Sequence, residues 1–186
     1  VNEGLQVKVY TNLKSDDYID LYGKGAINAV YDEKEGFSLK GNLDLDRGTY
    51  KITVQDIFTK EFSFIKGSSL LFNGAPYDAT LNLKAKYLVP SASLSALTAE
   101  TTNRKSVKVN CLMDITGTLA SPILKFDLEL PEGSEEEKEM LASATSTPEQ
   151  KNMQFIYLVG IGKFYTYEYY NQQGESQSST MMESLI

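Results

Sequence analysis

The stretch YDATLNLKAKYLV, residues 77–89, decides the fold class because apolar and polar side chains alternate along it. Its odd-numbered positions carry aliphatic residues, tyrosine or alanine, and most even-numbered positions carry Asp, Thr, Asn or Lys. A period of two is that of a β-strand with one dry face and one wet face. At ~3.4 Å per residue the strand would extend over about 44 Å, whereas strands usually have about 5–6 residues. The sequence therefore predicts an unusually long strand whose apolar row must face something.

Alternation of the same kind recurs between residues 5 and 130, so this part of the chain predicts a succession of antiparallel strands. Arg47-Gly48 reads as a turn, and the segments on either side of Gly67 favour a hairpin. Asn73-Gly74 is a further turn signal. The segment 90–105 is small, polar and aperiodic, which predicts a loop.

The pattern changes to a helical one after Pro131. Ser134 precedes an acidic run and suits a helix N-cap. Thr147, Pro148 and Gln150 have the spacing of a capping box with proline at the first helical position. The predicted regions are a sheet at 1–131, a helical segment at 132–170 and a flexible polar tail at 171–186.

Composition restricts the classes of partner. The chain has 186 residues, enough for one domain with a real core, and its 18 Lys and Arg against 25 Asp and Glu give a net charge of −7. This balance argues against nucleic acid and against anionic membrane surfaces, and no basic cluster is visible along the sequence. A single cysteine excludes an internal disulfide. The abrupt start at Val1 suggests a fragment of a longer protein.

Residues for catalysis are hard to find, so the sequence predicts a protein that is not an enzyme and needs no cofactor. The chain has no histidine, the commonest general base and metal ligand. Asp44 and Asp46 alternate with apolar residues as wet-side charges do, and Glu135–Glu137 suits a solvated helix start. GKGA at 23–26 lacks the third glycine of a dinucleotide loop. Cys111 lies in an apolar row, where a thiol behaves as a small hydrophobe.

Four sequence segments follow one another between Gly41 and Phe164 in a distinctive order. They are GNLDLDRGTYKI (41–52), FSFIKGSSLLFNGAPYDATLNLKAKY (62–87), VKVNCLMDITGTLASPILKFDLELP (107–131) and QFIYLVGIGKF (154–164). In this order they resemble the C-terminal domain of the TamB family, the AsmA-like translocation and assembly module proteins of the bacterial envelope. The resemblance implies a mostly β fold, an elongated antiparallel sheet curled into a β-taco with an apolar concave face, plus one or two C-terminal helices.

The resemblance also implies a function. Such a trough would carry phospholipid acyl chains between the inner and outer membrane, or assist the assembly and secretion of outer-membrane proteins. The expected location is the periplasm, in a protein anchored in the inner membrane outside this stretch, and the expected partner is an outer-membrane barrel of the barrel-assembly class. The side chains expected to line the trough are Tyr50, Ile52, Val54, Phe62, Phe64, Leu81, Leu83, Tyr87, Val107, Val109, Met113, Phe126 and Leu128.

Alternation by itself favours a different architecture, a closed β-sandwich whose dry faces cover each other. A protein of that kind would be a surface-exposed module that binds glycan or protein. It predicts a closed core and a polar or aromatic external site, whereas the trough predicts an open apolar cleft along the sheet. The sequence leaves both possibilities open.

Overall fold

The computed structural model describes residues 4–54, 56, 58–97 and 106–166. Within these ranges the chain forms eight strands followed by two helices, which confirms the mostly β prediction with C-terminal helices. The strands are β1 (Leu5–Asn12), β2 (Asp17–Asp32), β3 (Gly36–Val54), β4 (Phe58–Phe64), β5 (Ser69–Gly74), β6 (Thr80–Ser93), β7 (Ser106–Gly117) and β8 (Pro122–Glu129). The helices are α1 (Glu135–Ala144) and α2 (Pro148–Ile161).

The eight strands belong to one antiparallel sheet. Its order is β1-β2-β3-β4-β6-β7-β8, and β5 pairs with β3 and β6. The chain divides into two compact units, which are described separately below. Unit 1 comprises Val1–Thr53, Thr59–Lys86 and Met113–Lys125, and unit 2 comprises Val54–Phe58, Tyr87–Leu112 and Phe126–Ile186.

The β2–β3 hairpin is longer than the sequence suggested, because β3 continues through Arg47-Gly48. The predicted turn there is wrong. The register between the two strands shifts at Tyr22-Gly23, so a bulge absorbs the irregularity without reversing the chain. A Cβ atom on Gly48 would lie 2.6 Å from the Asp20 carbonyl oxygen and 2.9 Å from the Phe64 ring. Glycine is required here for close packing rather than for a turn.

The predicted hairpin around Gly67 is also wrong, because β4 and β5 do not pair with each other. Both strands run antiparallel to β6, one after the other. Ser68 fills the bend between them: its Oγ donates to the Ile65 carbonyl at 2.7 Å and accepts from the Lys84 N–H at 2.9 Å. A short polar segment that contains glycine has the same sequence features in a hairpin turn and in a bend, so the sequence does not distinguish the two.

The ends of β6 differ from the alternating stretch that predicted it. Tyr77 lies before the strand, in the 3-10 turn Pro76–Asp78, which has proline at its start. At the other end the strand continues through 90–93, where a loop was predicted. The buried side chain of Ala92 explains this extension, and Leu94 in the 3-10 turn that follows is buried as well. Residues 98–105 of the predicted loop lie outside the described residues.

Both predicted helix starts are confirmed. The Ser134 hydroxyl accepts from the Glu137 N–H at 3.2 Å, and the Thr147 hydroxyl accepts from the Gln150 N–H at the same distance. The third residue of each helix returns a hydrogen bond to its cap, which completes a capping box. Gly162 ends α2 in the left-handed conformation with φ 70°. The predicted tail at 171–186 lies outside the described residues.

Candidate functional site

The candidate site is the apolar face of the sheet, and in β6 it lies on the predicted side. Leu81 and Leu83 are 3% and 1% exposed, whereas Asn82 and Lys84 between and beside them are exposed. The dry and wet faces predicted for this strand are confirmed. The apolar row here is therefore core.

The residues predicted to line a trough fall in both units and are mostly closed to solvent. Those in unit 1 are Tyr50, Ile52, Phe62, Phe64, Leu81, Leu83 and Met113, and those in unit 2 are Val54, Tyr87, Val107, Val109, Phe126 and Leu128. All of them are buried except Tyr50, Tyr87 and Leu128, which are half-buried, and Val54, whose side chain lies outside the described part. An acyl chain could reach the buried ones only if the segments covering them moved.

In unit 2 one of these residues has an identifiable cover. The rings of Phe126 in β8 and Phe155 in α2 stack at 4.2 Å between centroids, with 14° between their planes. Phe155 is itself fully buried. Helix α2 therefore occupies the apolar surface that Phe126 presents.

The same apolar face is uncovered at the far end of the β2–β3 hairpin. Tyr31 and Phe37 pair across the hairpin and are 72% and 51% exposed. Ala29 and Leu39 form the next pair whose side chains project to the same face. Ile27 completes the set one step further along β2. We call these five residues the open end. Ala29 is exposed like the two rings, whereas Ile27 and Leu39 are half-buried. Together they form a partly exposed apolar surface, a feature that can mark interaction sites.

The register shows that the open end continues the core face. Ile27 lies opposite Gly41 of β3, which in turn lies opposite Phe72 of β5, and Phe72 is buried. Residues directly opposite in an antiparallel pair project to the same side. The sequence prediction included neither Ile27 nor Tyr31 as a site residue. The polar turn between Tyr31 and Phe37 could have identified this pair, because a hairpin closed at that turn places the two rings opposite each other.

The opposite face of β1, β2 and β3 carries a set of stacked tyrosines and cations. Lys8 Nζ lies 4.2 Å from the Tyr18 ring centroid, and Arg47 Cζ lies 3.9 Å from that of Tyr22. Tyr10 contacts Tyr18 edge-on at 6.2 Å. We call these five residues the tyrosine ladder. The sequence showed no basic cluster because Lys8 and Arg47 are far apart along the chain, and strand pairing brings each of them near a different tyrosine ring.

Two titratable side chains of the sheet, the Cys111 thiol and the Tyr50 hydroxyl, are protonated near neutral pH. Burial raises the pKa of the Cys111 thiol to about 12, so the thiolate needed of a nucleophile is absent near neutral pH. Burial, followed by the charge of Asp17, raises the pKa of Tyr50 to about 12. Among the described residues there is no cluster of three or more His, Cys, Asp or Glu that could hold a metal ion.

Fold and site together define an antiparallel β-sheet domain with an apolar face that is covered over much of its area and open at one end. No helix in the described part of the chain is long and apolar enough to cross a membrane. A model of the TamB C-terminal domain matches residues 17–185. The chain therefore belongs to the TamB C-terminal domain family, and the resemblance seen in its sequence is confirmed. No curated protein matches the chain.

Membership of this family indicates the general biological role of the domain. The family consists of non-enzymatic proteins that serve biogenesis of the envelope and the outer membrane. Its members are envelope proteins that work with outer-membrane assembly partners.

Proposed function

We propose that this domain contacts apolar cargo in the periplasm through one face of its sheet. The cargo is phospholipid acyl chains in transit between the inner and outer membrane, or the apolar side chains of outer-membrane proteins during assembly and secretion. In this proposal the sheet is curled into a β-taco, an anchor elsewhere in the protein holds it at the inner membrane, and its partner is an outer-membrane barrel of the barrel-assembly class. The observation that carries the proposal is the open end.

The open end suits acyl chains on physical grounds. Its five side chains are apolar or aromatic, and Tyr31 adds a hydroxyl at the rim. An acyl chain needs continuous apolar surface without directed polar groups, and each CH₂ removed from water contributes about 0.8 kcal/mol. Because the open end continues into the core face, cargo bound there would lie at the entrance to the predicted trough. We propose the buried lining residues, such as Leu81 and Val109, as the inner part of that trough, which cargo reaches only when the segments covering them move.

A second function is favoured by a different observation. The tyrosine ladder on the opposite face of β1, β2 and β3 offers the aromatic external site that a surface-exposed module for glycan or protein would use. Exposed tyrosines offer large, rigid contact area at low entropic cost. The strands form one sheet rather than the two of a sandwich, so this alternative rests on the ladder alone.

Site-specific photo-crosslinking in cells separates the two functions. A photo-crosslinking amino acid is placed at Tyr31, at the adjacent Val30 or at Tyr10, in the full-length protein that contains this domain. Val30 is a matched control, since it is 60% exposed and lies on the other face of β2. Lipid or outer-membrane-protein adducts at Tyr31 and not at Val30 would support cargo contact. Equal labelling at both positions would contradict it, and adducts confined to Tyr10 would favour the second function.

The depth of cargo entry is tested by the same method. Crosslinkers at Leu81 and Val109 probe the dry face, and those at Asn82 and Lys108 probe the adjacent wet positions. Adducts at the two dry positions alone would support a trough that opens along its length. Adducts at Tyr31 together with none at Leu81 or Val109 would restrict cargo contact to the open end.

A further inference from the structure

A cavity of about 480 Å³ lies within unit 2, apart from the sheet face discussed above. It is bounded by the end of α1, the first turns of α2, the segment after β6 and the segment after α2. Its apolar lining comes from Ala96, Leu97, Ala144, Met153 and Tyr165. All five are half-buried, as expected of side chains that face a cavity open to solvent.

The walls of this cavity are held in place by specific contacts. The Gln154 side-chain amide donates to the Tyr165 carbonyl at 3.0 Å and accepts from the Tyr165 N–H at 2.7 Å. The Tyr165 ring contacts the Tyr157 ring at 5.0 Å between centroids. On the other side Leu94, fully buried, anchors the turn that presents Ala96. The cavity is therefore preformed, as ligand pockets usually are.

The Gln150 side-chain oxygen and both ends of the Gln154 amide at the cavity are engaged with the protein. Gln150 Oε1 accepts from the N–H and the hydroxyl of Ser146 and from the N–H of Thr147. Gln154 uses both ends of its amide on Tyr165. The charged group at the cavity is Glu149, exposed in the first turn of α2, where the helix dipole favours a carboxylate. An incoming ligand would meet mainly apolar surface, together with the Glu149 carboxylate, the Gln150 amide nitrogen and Thr166.

We propose that this cavity binds a single alkyl chain whose headgroup is neutral or zwitterionic. Its volume lies in the range of about 300–1,000 Å³ typical of small-molecule sites. The lining is mostly apolar and the Gln154 amide is fully used on Tyr165, which favours an apolar ligand. Glu149 at the rim disfavours an anionic headgroup. The site does not depend on the open end, so either can fail without the other.

Fluorescence quenching tests the proposal, because the chain contains no tryptophan. Tyr165→Trp places a reporter in the wall, and Ile161→Trp places a control reporter at the end of α2, where the side chain is 54% exposed and outside the cavity lining. The probe is a bromoalkyl maltoside below its critical micelle concentration. Saturable quenching of the Y165W variant, with only weak, linear quenching of the I161W variant, is expected. Equal quenching in both variants would overturn the proposal.

A second test compares a substitution that fills the cavity with a matched substitution outside it. Adding Ala144→Phe to Y165W is expected to weaken the apparent affinity about tenfold or more, since the ring takes the space of several CH₂ groups worth ~0.8 kcal/mol each. Adding Ser143→Phe places the same ring on the exposed side of α1 and should leave the affinity within about twofold. Unchanged binding in the A144F background would overturn the proposal.

Headgroup selection is tested with a bromoalkyl sulfate of the same chain length. The sulfate is expected to bind several-fold more weakly than the maltoside, and Glu149→Gln should remove most of that difference. Tighter binding of the sulfate would overturn the headgroup part of the proposal. Should the Y165W variant fail to fold, the Met153 methyl resonance of the unaltered protein, assigned with Met153→Leu, provides the readout. It must shift on titration with unbrominated alkyl maltoside, and an unmoved resonance would overturn the proposal.

Discussion

Two regions of unit 1 share one apolar face and differ in what lies over it. Around Leu81 and Leu83 the face is closed to solvent, whereas at the open end Tyr31 and Phe37 remain largely exposed. Both regions arise from the same alternation and are joined through strand pairing. The difference teaches that alternation determines which side of a strand is apolar, while coverage determines whether that side becomes core or contact surface.

This difference has an energetic meaning. Burying one large apolar side chain contributes about 1.5–3 kcal/mol, so the closed region stabilises the fold. At the open end the same kind of surface stays in water, and its burial is available to a partner. Mutations in the two regions should therefore separate stability from binding.

The largest expected effect is that of Leu83→Lys in the closed region. Truncating a buried leucine to alanine costs about 2–5 kcal/mol, and a lysine adds an unpaired charge in an apolar environment. We expect a greater loss of unfolding free energy than for the truncation, or loss of folding. Lys84→Leu, on the exposed face, should stay within about 0.5 kcal/mol of wild type. Urea unfolding measures both, and similar losses for the two variants would show that the faces are misassigned.

The next effect concerns pH and the closed core of unit 2. Because the pKa of Cys111 is raised from 9.0 to about 12, the folded state holds this proton more tightly than the unfolded state. The stabilisation is complete below pH 9 and is lost as pH rises from 9 towards 12, with a slope of up to about 1.4 kcal/mol per pH unit. Tyr50, with its pKa raised from 10.0 to about 12, adds to the loss above pH 10.

Chemical unfolding at a series of pH values checks this expectation. Cys111→Val removes the thiol at similar volume and should flatten the decline between pH 9 and 10. The thiol of the folded protein should also react slowly with alkylating reagents at pH 8. Rapid alkylation under native conditions would show that Cys111 is not closed to solvent.

A smaller effect is expected from the helix that covers Phe126. Thr147→Ala removes the hydroxyl that caps α2 and should cost about 1 kcal/mol. Thr147→Ser keeps an oxygen in the same place and should recover most of the loss. Thermal unfolding followed by circular dichroism compares the two, and equal destabilisation by both would argue against a capping role.

The smallest effect on stability is expected at the open end. Tyr31→Ser and Phe37→Ser should each change the unfolding free energy by no more than about 0.5 kcal/mol, because these side chains are already exposed. Together they should abolish the alkyl binding that the open end supports, while Val30→Ser on the other face should preserve it. Calorimetric titration with an alkyl maltoside measures this binding in an Ala144→Phe background, which fills the unit 2 cavity, and the binding should show a negative heat-capacity change. A double variant that bound as wild type would remove the role given to the open end.

Local features of the fold were predictable from the sequence because their causes are local. Alternation identified the dry side of Leu81 and Leu83, and the spacing of Thr147 to Gln150 identified the start of α2. Buried Cys111 followed from its place in an apolar row. Family membership could be recognised from the order of four sequence segments, although none of them is distinctive alone.

Other features depend on contacts between distant segments. Arg47-Gly48 read as a turn, although the glycine permits close packing against Asp20 and Phe64. The bend at Ser68 and a true hairpin have the same composition, so the pairing of β5 with β3 was not predictable. The open end was missed for a related reason, since the pattern around Tyr31 does not show whether anything covers that face.

The most direct test follows both regions at once by methyl NMR while the protein is titrated with an alkyl maltoside. The methyl groups of Ile27 and Leu39 report on the open end, and those of Leu81 and Leu83 report on the closed region. We predict progressive, saturable shifts for Ile27 and Leu39, with Leu81 and Leu83 unmoved. Equal shifts in the closed region, or none at Ile27 and Leu39, would contradict the claim that coverage divides one apolar face into core and contact surface.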